Sequence, residues 1–252
     1  VIEVRNLTKR YGSKAVVDDV SLTIARGQIT SFIGPNGAGK STLLSVISRL
    51  LPSDGGEVLI DGQAVSATRS NELAKKISIL KQTNHVSVRL TVRELVSFGR
   101  FPYSQGRLTR EDWKHVDRAI HYLDMAELQE RYLDQLSGGQ RQRAFVAMVL
   151  CQDTDYILLD EPLNNLDMRH SVQIMRMLRR MVTELNKTIV LVIHDINFAS
   201  CHSDHIVALK DGRVIAEGAA TQIIDSSCLH SIFDMKIPIE TIQGNRIGIY
   251  FA

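Results

Sequence analysis

Gly34-Pro35-Asn36-Gly37-Ala38-Gly39-Lys40-Ser41 fits the pattern G-x-x-x-x-G-K-[ST], and its flanks decide how the chain folds. Before it, Ile29-Thr30-Ser31-Phe32-Ile33 is a mostly apolar run of strand length. After it, Ser41–Leu51 carries Leu44, Ile47 and Leu51 at helical spacing and stops at Pro52. Strand, glycine loop and helix together form the setting in which this pattern cradles phosphate. Glycines let successive backbone N–H groups converge on phosphate oxygens where a side chain would clash. The start of the helix adds partial positive charge. Lys40 is expected to reach β- and γ-phosphates, and Ser41 to offer its hydroxyl to magnesium.

Working outward, two later runs resemble the strand before the loop. Tyr156-Ile157-Leu158-Leu159 ends at Asp160-Glu161, and Thr188–Ile193 ends at His194-Asp195. Unbroken apolar runs of this kind fit parallel strands buried on both faces. Ligands of open α/β sheets bind beyond the carboxyl ends of such strands, where Gly34, Glu161 and His194 all fall. Asp160 is expected to hold magnesium through water. Glu161, pointing the other way, is the candidate general base that polarises an attacking water.

Between these two runs, Val172, Met175, Leu178, Val182 and Leu185 form a helical stripe, with Arg176, Arg179 and Arg180 off it and the methionines as core filler. The first sixty residues read mostly as strand. Val20, Leu22 and Ile24 alternate with Ser21 and Thr23 up to Arg26-Gly27, and Gly56–Gly62 is a second short strand. Thr91 to Met148 reads as mostly helical, with Gly99–Arg107 as a loop. The expected class is therefore α/β: a core with a mixed or parallel sheet, an antiparallel β subdomain and an inserted α-helical subdomain. As one domain over 1–252, the core takes 1–82 and 154–252 and the helical insertion about 83–153.

Leu136-Ser137-Gly138-Gly139-Gln140 precedes the helical stretch Arg141–Leu150. Ser137 as N-cap and Gln140 three residues later make a capping box. Two adjacent glycines exceed what a cap requires. They would expose backbone N–H groups at a positive helix end, a second anion site in one chain. One nucleotide needs one such cradle for its terminal phosphates, so the second suggests a nucleotide held by another copy of the protein.

Composition narrows the class further. The 252 residues carry 30 Lys+Arg against 28 Asp+Glu, a net charge of +2, and 44% are apolar. Disorder, collagen and disulfide-stapled miniproteins are excluded, as is affinity resting on bulk positive charge. No apolar run approaches the 18 or so residues of a membrane span, Ala144–Leu150 and Ile189–Ile193 being among the longest. Val1-Ile2-Glu3-Val4 does not read as a signal peptide. Cys151, Cys201 and Cys228 lie far apart and are expected to be buried, inert thiols of a soluble intracellular chain.

The phosphate loop, Leu136–Gln140 (LSGGQ) and Tyr156–Pro162 (YILLDEP), in this order, closely resemble the nucleotide-binding subunits of ATP-binding cassette (ABC) transporters, across essentially the whole chain. That resemblance implies a P-loop NTPase core in which two subunits face head to tail and sandwich two ATP molecules with magnesium. Gly34, Pro35, Asn36, Gly37, Ala38, Gly39, Lys40, Ser41 and Thr42 would bind ATP in one subunit. Ser137, Gly138, Gly139 and Gln140 would contact the γ-phosphate held by the other. Tyr11 would stack on adenine. Gln82 would join core to helical subdomain and sense magnesium and the γ-phosphate. His194 would bond the γ-phosphate and hold Glu161 and water in line. Asn165, Leu166 and Asp167 match the loop that crosses the dimer interface, with Asp167 near the partner's phosphate loop. Leu163-Asn164-Asn165 stands where many members carry Thr-Ser-Ala. The departure spares Asp167, so the mechanism is expected to be unaltered.

Val96-Ser97-Phe98-Gly99-Arg100-Phe101-Pro102 is similar to importers of ferric siderophores, haem and cobalamin, and Asp160–Asp167 (DEPLNNLD) looks like a branch of bacterial siderophore importers. The resemblance implies ATP-driven dimer closure coupled to transmembrane permease subunits, and through them to an extracytoplasmic substrate-binding protein. It places the chain peripherally on the cytoplasmic face of the membrane, with no nucleic-acid partner. Phe101 and Tyr103, beside Arg100 and Arg107, either form an aromatic groove for a partner helix or pack inside the subdomain. Other readings are an ABC-type ATPase of another transporter class, or a non-transport ABC ATPase. The DNA-repair form of the latter carries a long coiled coil for which this chain has no room. A nucleotide-binding regulatory module without turnover fits poorly with the presence of both Glu161 and His194.

Overall fold

The computed structural model describes residues 1–84 and 86–250. In chain order its elements are β1 (Ile2–Tyr11), β2 (Lys14–Ile24), β3 (Ile29–Ile33), α1 (Lys40–Ile47), β4 (Gly55–Ile60), β5 (Gln63–Ala64), α2 (Ser70–Lys76), β6 (Ile77–Leu80), α3 (Val92–Ser97) and α4 (Phe101–Ser104). There follow α5 (Arg110–Tyr122), α6 (Gly138–Cys151), β7 (Tyr156–Asp160), α7 (Met168–Leu185), β8 (Thr188–Val192), α8 (Ile196–His202), β9 (His205–Lys210), β10 (Arg213–Ala219), α9 (Ala220–Ile223), α10 (Ser226–Phe233), β11 (Ile239–Ile242) and β12 (Asn245–Gly248). The chain divides into two compact units, one of Val1–Thr68 with the stretch from Thr188 onward, the other of Arg69–Lys187.

In the first unit, the alternation of Leu22 and Ile24 with Ser21 and Thr23 becomes register. β1 pairs antiparallel with β2 (Ile2↔Ile24, Val4↔Leu22) and with β4 (Ile2↔Ile60, Val4↔Val58). Ile2, Val4, Leu22, Ile24, Val58 and Ile60 are all buried, so one face of the β2-β1-β4-β5 sheet is core and the other meets solvent. The continuous runs behave differently. β3 pairs in parallel with β8 and with β9, and every residue of β3 and β8 is buried. β10 closes the β9 side antiparallel, with four of its seven residues exposed.

Helix α1 ends at Ile47, short of the expected Leu51. Arg49 takes the left-handed conformation at φ 59°. The N–H of Arg49 then bonds Val46 O (3.0 Å) and that of Leu50 bonds Ser45 O (2.9 Å), a Schellman closure with arginine where glycine usually stands. The Arg49 guanidinium compensates by donating to Val65 O at 2.8 Å and Thr68 O at 2.5 Å.

In the second unit, β6 and β7 pair in parallel from Ile77↔Tyr156 to Leu80↔Leu159. Helix α7 buries Ile174, Met175, Met177, Leu178, Met181 and Val182, so its methionines do fill the core. The stripe is rotated from the expected one, with Leu185 38% exposed at its end. The stretch Gly99–Arg107 is largely helical rather than a loop: a 3-10 turn at Phe98–Arg100 runs into α4. Arg100 explains the difference. It is buried, with Nε 3.0 Å from Asp112 Oδ1, a guanidinium nitrogen 3.1 Å from Cys151 O, and its guanidinium 3.9 Å from the Tyr103 ring centroid. Arg100 therefore lies inside the unit, while Phe98 and Phe101 are 53% and 62% exposed.

The cysteines do not share one environment. Cys151 is buried and its thiol is pushed up to about 12 by that burial, Cys228 is half-buried, and Cys201 is exposed, contrary to the expectation of three buried thiols. Among the described residues no helix is long and apolar enough to cross a membrane.

Candidate functional site

The first unit places the glycine loop at the carboxyl end of β3. Gly34, at φ 138°, lies so close to Leu209 that a Cβ would sit 2.0 Å from its carbonyl oxygen; at Gly39, φ 95°, a Cβ would sit 2.3 Å from Val16 O. Both positions require glycine on two counts, conformation and space. The loop folds around Lys40, which is buried yet donates from Nζ to Gly34 O (2.8 Å) and Pro35 O (2.9 Å). Gly39 is the N-cap of α1 and has no side chain to bond the first turn, so the backbone alone shapes the start of this helix. Such an end suits an anion. Ser41 and Thr42 are half-buried in that first turn.

Register accounts for His194. β3 and β8 are paired through Phe32↔Val192, and Gly34 and His194 each follow by two residues, so both leave the sheet at the same end. His194 is exposed there. Tyr11 ends β1, 53% exposed, with Lys9 Nζ 5.8 Å from its ring centroid.

The second unit repeats this arithmetic. β6 and β7 are paired through Leu80↔Leu159, and Gln82 and Glu161 each follow by two residues. The two side chains meet: Gln82 Nε2 donates to Glu161 Oε2 at 2.6 Å. Asp160 is the half-buried last residue of β7. Glu161 is left-handed at φ 50°, an uncommon conformation for a residue with a Cβ, and the turn is closed by Asn164 N–H to Glu161 O at 3.1 Å. Asn164 also donates from Nδ2 to Glu161 Oε2 at 3.3 Å. The departure from the common Thr-Ser-Ala therefore touches the candidate base, which only the folded turn reveals.

The LSGGQ segment forms the expected capping box. Gln140 N–H donates to Ser137 Oγ (3.3 Å), and Ser137 N–H donates to Gln140 Oε1 (3.0 Å). Both glycines lie in the first turn of α6, but only Gly138 is exposed and Gly139 is buried. Asp167 caps α7: its Oδ1 accepts from the His170 N–H and from His170 Nδ1, both at 2.8 Å. These bonds, the backbone one first, hold the exposed Asp167 carboxyl below its ordinary value.

Each unit carries oxygen donors of the kind that magnesium takes. No group of three or more His, Cys, Asp or Glu among the described residues could hold a metal ion. Ser41 in the first unit offers a hydroxyl, and Gln82 and Asp160 in the second an amide and a carboxylate oxygen, donor types that suit a hard cation which keeps waters and phosphate oxygens for most of its shell.

The family model described as ABC transporter matches residues 17–164, a stretch that includes the glycine loop, Gln82, the LSGGQ turn and Glu161. The chain belongs to the ABC transporter family. This ABC protein is 64% identical over 252 residues to the petrobactin import ATP-binding protein YclP of Bacillus subtilis (strain 168), covering 100% of both chains. It is 52% identical over 250 residues to the petrobactin import ATP-binding protein FatE of Bacillus anthracis, covering 99% of this chain and 100% of that one. Among solved structures, it is similar to a dimeric ATP-binding cassette in a post-hydrolysis state bound to ADP and Pi, at 33% identity and TM-score 0.77, covering 87% of this chain and 99% of that one.

Proposed function

We propose that this ABC protein is the ATP-hydrolysing subunit of a bacterial importer of iron–siderophore complexes, with petrobactin as the leading cargo. The single observation that carries the reading is the 64% identity, without a gap in coverage, to a petrobactin import ATP-binding protein.

In this reading two copies form the working unit. The glycine loop and the start of α1 receive the phosphates of ATP, and Lys40 exchanges its bonds to loop carbonyls for bonds to phosphate oxygens. Tyr11 offers its exposed face to adenine. Ser41, Gln82 and Asp160 would hold magnesium, which when bound would neutralise charge developing on the phosphates. Glu161, positioned by Gln82, accepts a proton from the attacking water, and His194 hydrogen-bonds the γ-phosphate. Ser137, Gly138, Gly139 and Gln140 of one copy face the nucleotide of the other, and Asp167 lies on the loop between them.

ATP closes the dimer because it binds the closed form more tightly, and hydrolysis releases that bias. The exposed Phe98 and Phe101 give the helical subdomain an apolar face for a cytoplasmic helix of the permease. The chain then sits peripherally at the membrane, and an extracytoplasmic binding protein delivers the cargo to the permease.

Proteoliposomes carrying this chain with the permease subunits that co-purify with it, supplied with binding protein and ATP, should accumulate radioactive iron–petrobactin. The same vesicles with Glu161→Gln should not. Accumulation of a different cargo in preference to iron–petrobactin would overturn the cargo assignment.

A further inference from the structure

We infer that His170 is a positioning residue for the shared ATP site, tying the Ser137–Gln140 turn to the Asp167 loop so that the two elements facing the other copy move as one body. The inference rests on the reading that two copies share their sites.

Three observations within the second unit carry it. Capping of α7 needs only the His170 N–H on Asp167 Oδ1. The bond from His170 Nδ1 to the same oxygen, also 2.8 Å, goes beyond what a cap requires. A carboxylate acceptor fixes the proton on Nδ1 and makes the bond charge-assisted.

The ring is also wedged against the start of α6. A Cβ at Gly139 would lie 2.1 Å from His170 Cδ2 and 2.3 Å from Cγ, so residue 139 stays bare as long as the imidazole keeps its place. The wedged ring accounts for the second glycine of LSGGQ, which the capping box does not require. A side chain at 139 would drive the ring off Asp167. Finally, Gly138 and Asn165 run side by side: a Cβ at Gly138 would lie 3.9 Å from Asn165 O, in ordinary contact. Turn and loop thus come close to each other, and the His170 ring touches both, against Gly139 on the turn and bonded to Asp167 on the loop. When ATP on the other copy pulls on the turn, the imidazole transmits the displacement to Asp167.

Separate variants isolate the bond and the wedge. His170→Phe keeps a ring against Gly139 but has no donor, while His170→Asn keeps a donor near the Nδ1 position with less bulk. In His170→Phe, ATP affinity of the monomer should match the parent. Its kcat should fall roughly 3- to 30-fold, and the ATP concentration that dimerises a Glu161→Gln background should rise by a similar factor. His170→Asn should recover most of that loss, which a merely space-filling role would not allow. For the wedge, Gly139→Ala should lower the melting temperature of the parent, whereas Gly139→Ala combined with His170→Ala should melt with His170→Ala, because the space left by the imidazole accepts the methyl group. Parental kcat in His170→Phe, no recovery in His170→Asn, or an equal melting loss from Gly139→Ala in both backgrounds would each overturn the inference. The underlying reading fails separately, and visibly, if the Glu161→Gln parent with native His170 stays monomeric in ATP.

Discussion

Gln82 Nε2 lies 2.6 Å from Glu161 Oε2, so the last paired residues of two neighbouring parallel strands, Leu80 and Leu159, are followed two positions further on by a held pair. The amide presents the carboxylate in one orientation, and Asn164, at 3.3 Å from the same oxygen, adds a weaker restraint. The lengths rank the two contacts, because hydrogen bonds weaken toward the outer limit of the distance range.

Gln82→Ala should therefore lower kcat by about 10- to 100-fold, the scale of a lost orienting contact near a general base. Gln82→Glu should be worse, since it sets two carboxylates against each other at this separation. Asn164→Ala should cost only about 2- to 5-fold, as for a long hydrogen bond of modest net strength. Steady-state phosphate release at saturating ATP separates the three.

Lys40→Ala removes a buried cation that the loop has folded around, and with it the charge that meets the phosphates. ATP affinity should weaken by about 100-fold or more, as expected for loss of a charge-assisted contact to an anion. Titration calorimetry reads this directly, and an affinity within about threefold of the parent would contradict the phosphate-loop assignment.

Arg100 and Asp112 make a buried pair at 3.0 Å. Arg100→Ala leaves the carboxylate without its cation and should cost about 3–5 kcal/mol of stability. Burial opposes the charge on Asp112, but hydrogen bonds from the Thr109 N–H and hydroxyl and from Arg100 outweigh it, holding the carboxyl below its ordinary value. A depressed carboxylate stabilises the fold above its unfolded pKa and loses that contribution as pH falls through its folded one. Urea unfolding should show the parent losing stability on acidification below about pH 4, and Asp112→Asn should flatten that limb.

Phe101 is 62% exposed beside Phe98, on a segment fastened from beneath by Arg100. Phe101→Asp should leave ATP hydrolysis by the isolated chain unchanged and remove its co-purification with the permease. Retention of the permease would place the docking face elsewhere.

Much of this was legible in the chain itself. Ile29–Ile33, Tyr156–Leu159 and Thr188–Ile193 read as buried parallel strands because continuous apolar runs have few other stable fates. The capping box at Ser137 is a local pattern and was equally readable. What escaped the sequence depends on tertiary contact. The end of α1 was hidden because Arg49, with no glycine to signal it, takes the left-handed position and is held by Val65 and Thr68. Gly99–Arg107 looked like a loop because nothing local says that Arg100 will be buried against Asp112 and Cys151. His170 carries little local signal, since its meaning lies in a ring wedged between Gly139 and Asp167. Its position three residues after a capping Asp was the one clue available.

The central claim, that two copies of this chain close on ATP and share its sites, is tested most directly by the mass of Glu161→Gln in solution. By size-exclusion chromatography with light scattering, that variant should run at the 28.2 kDa of one chain without nucleotide and at twice that mass with ATP and magnesium. Addition of Ser137→Arg should return it to the single-chain mass while ATP binding persists. A Glu161→Gln chain that binds ATP and stays at 28.2 kDa, or one that dimerises equally well with Ser137→Arg, would contradict the account.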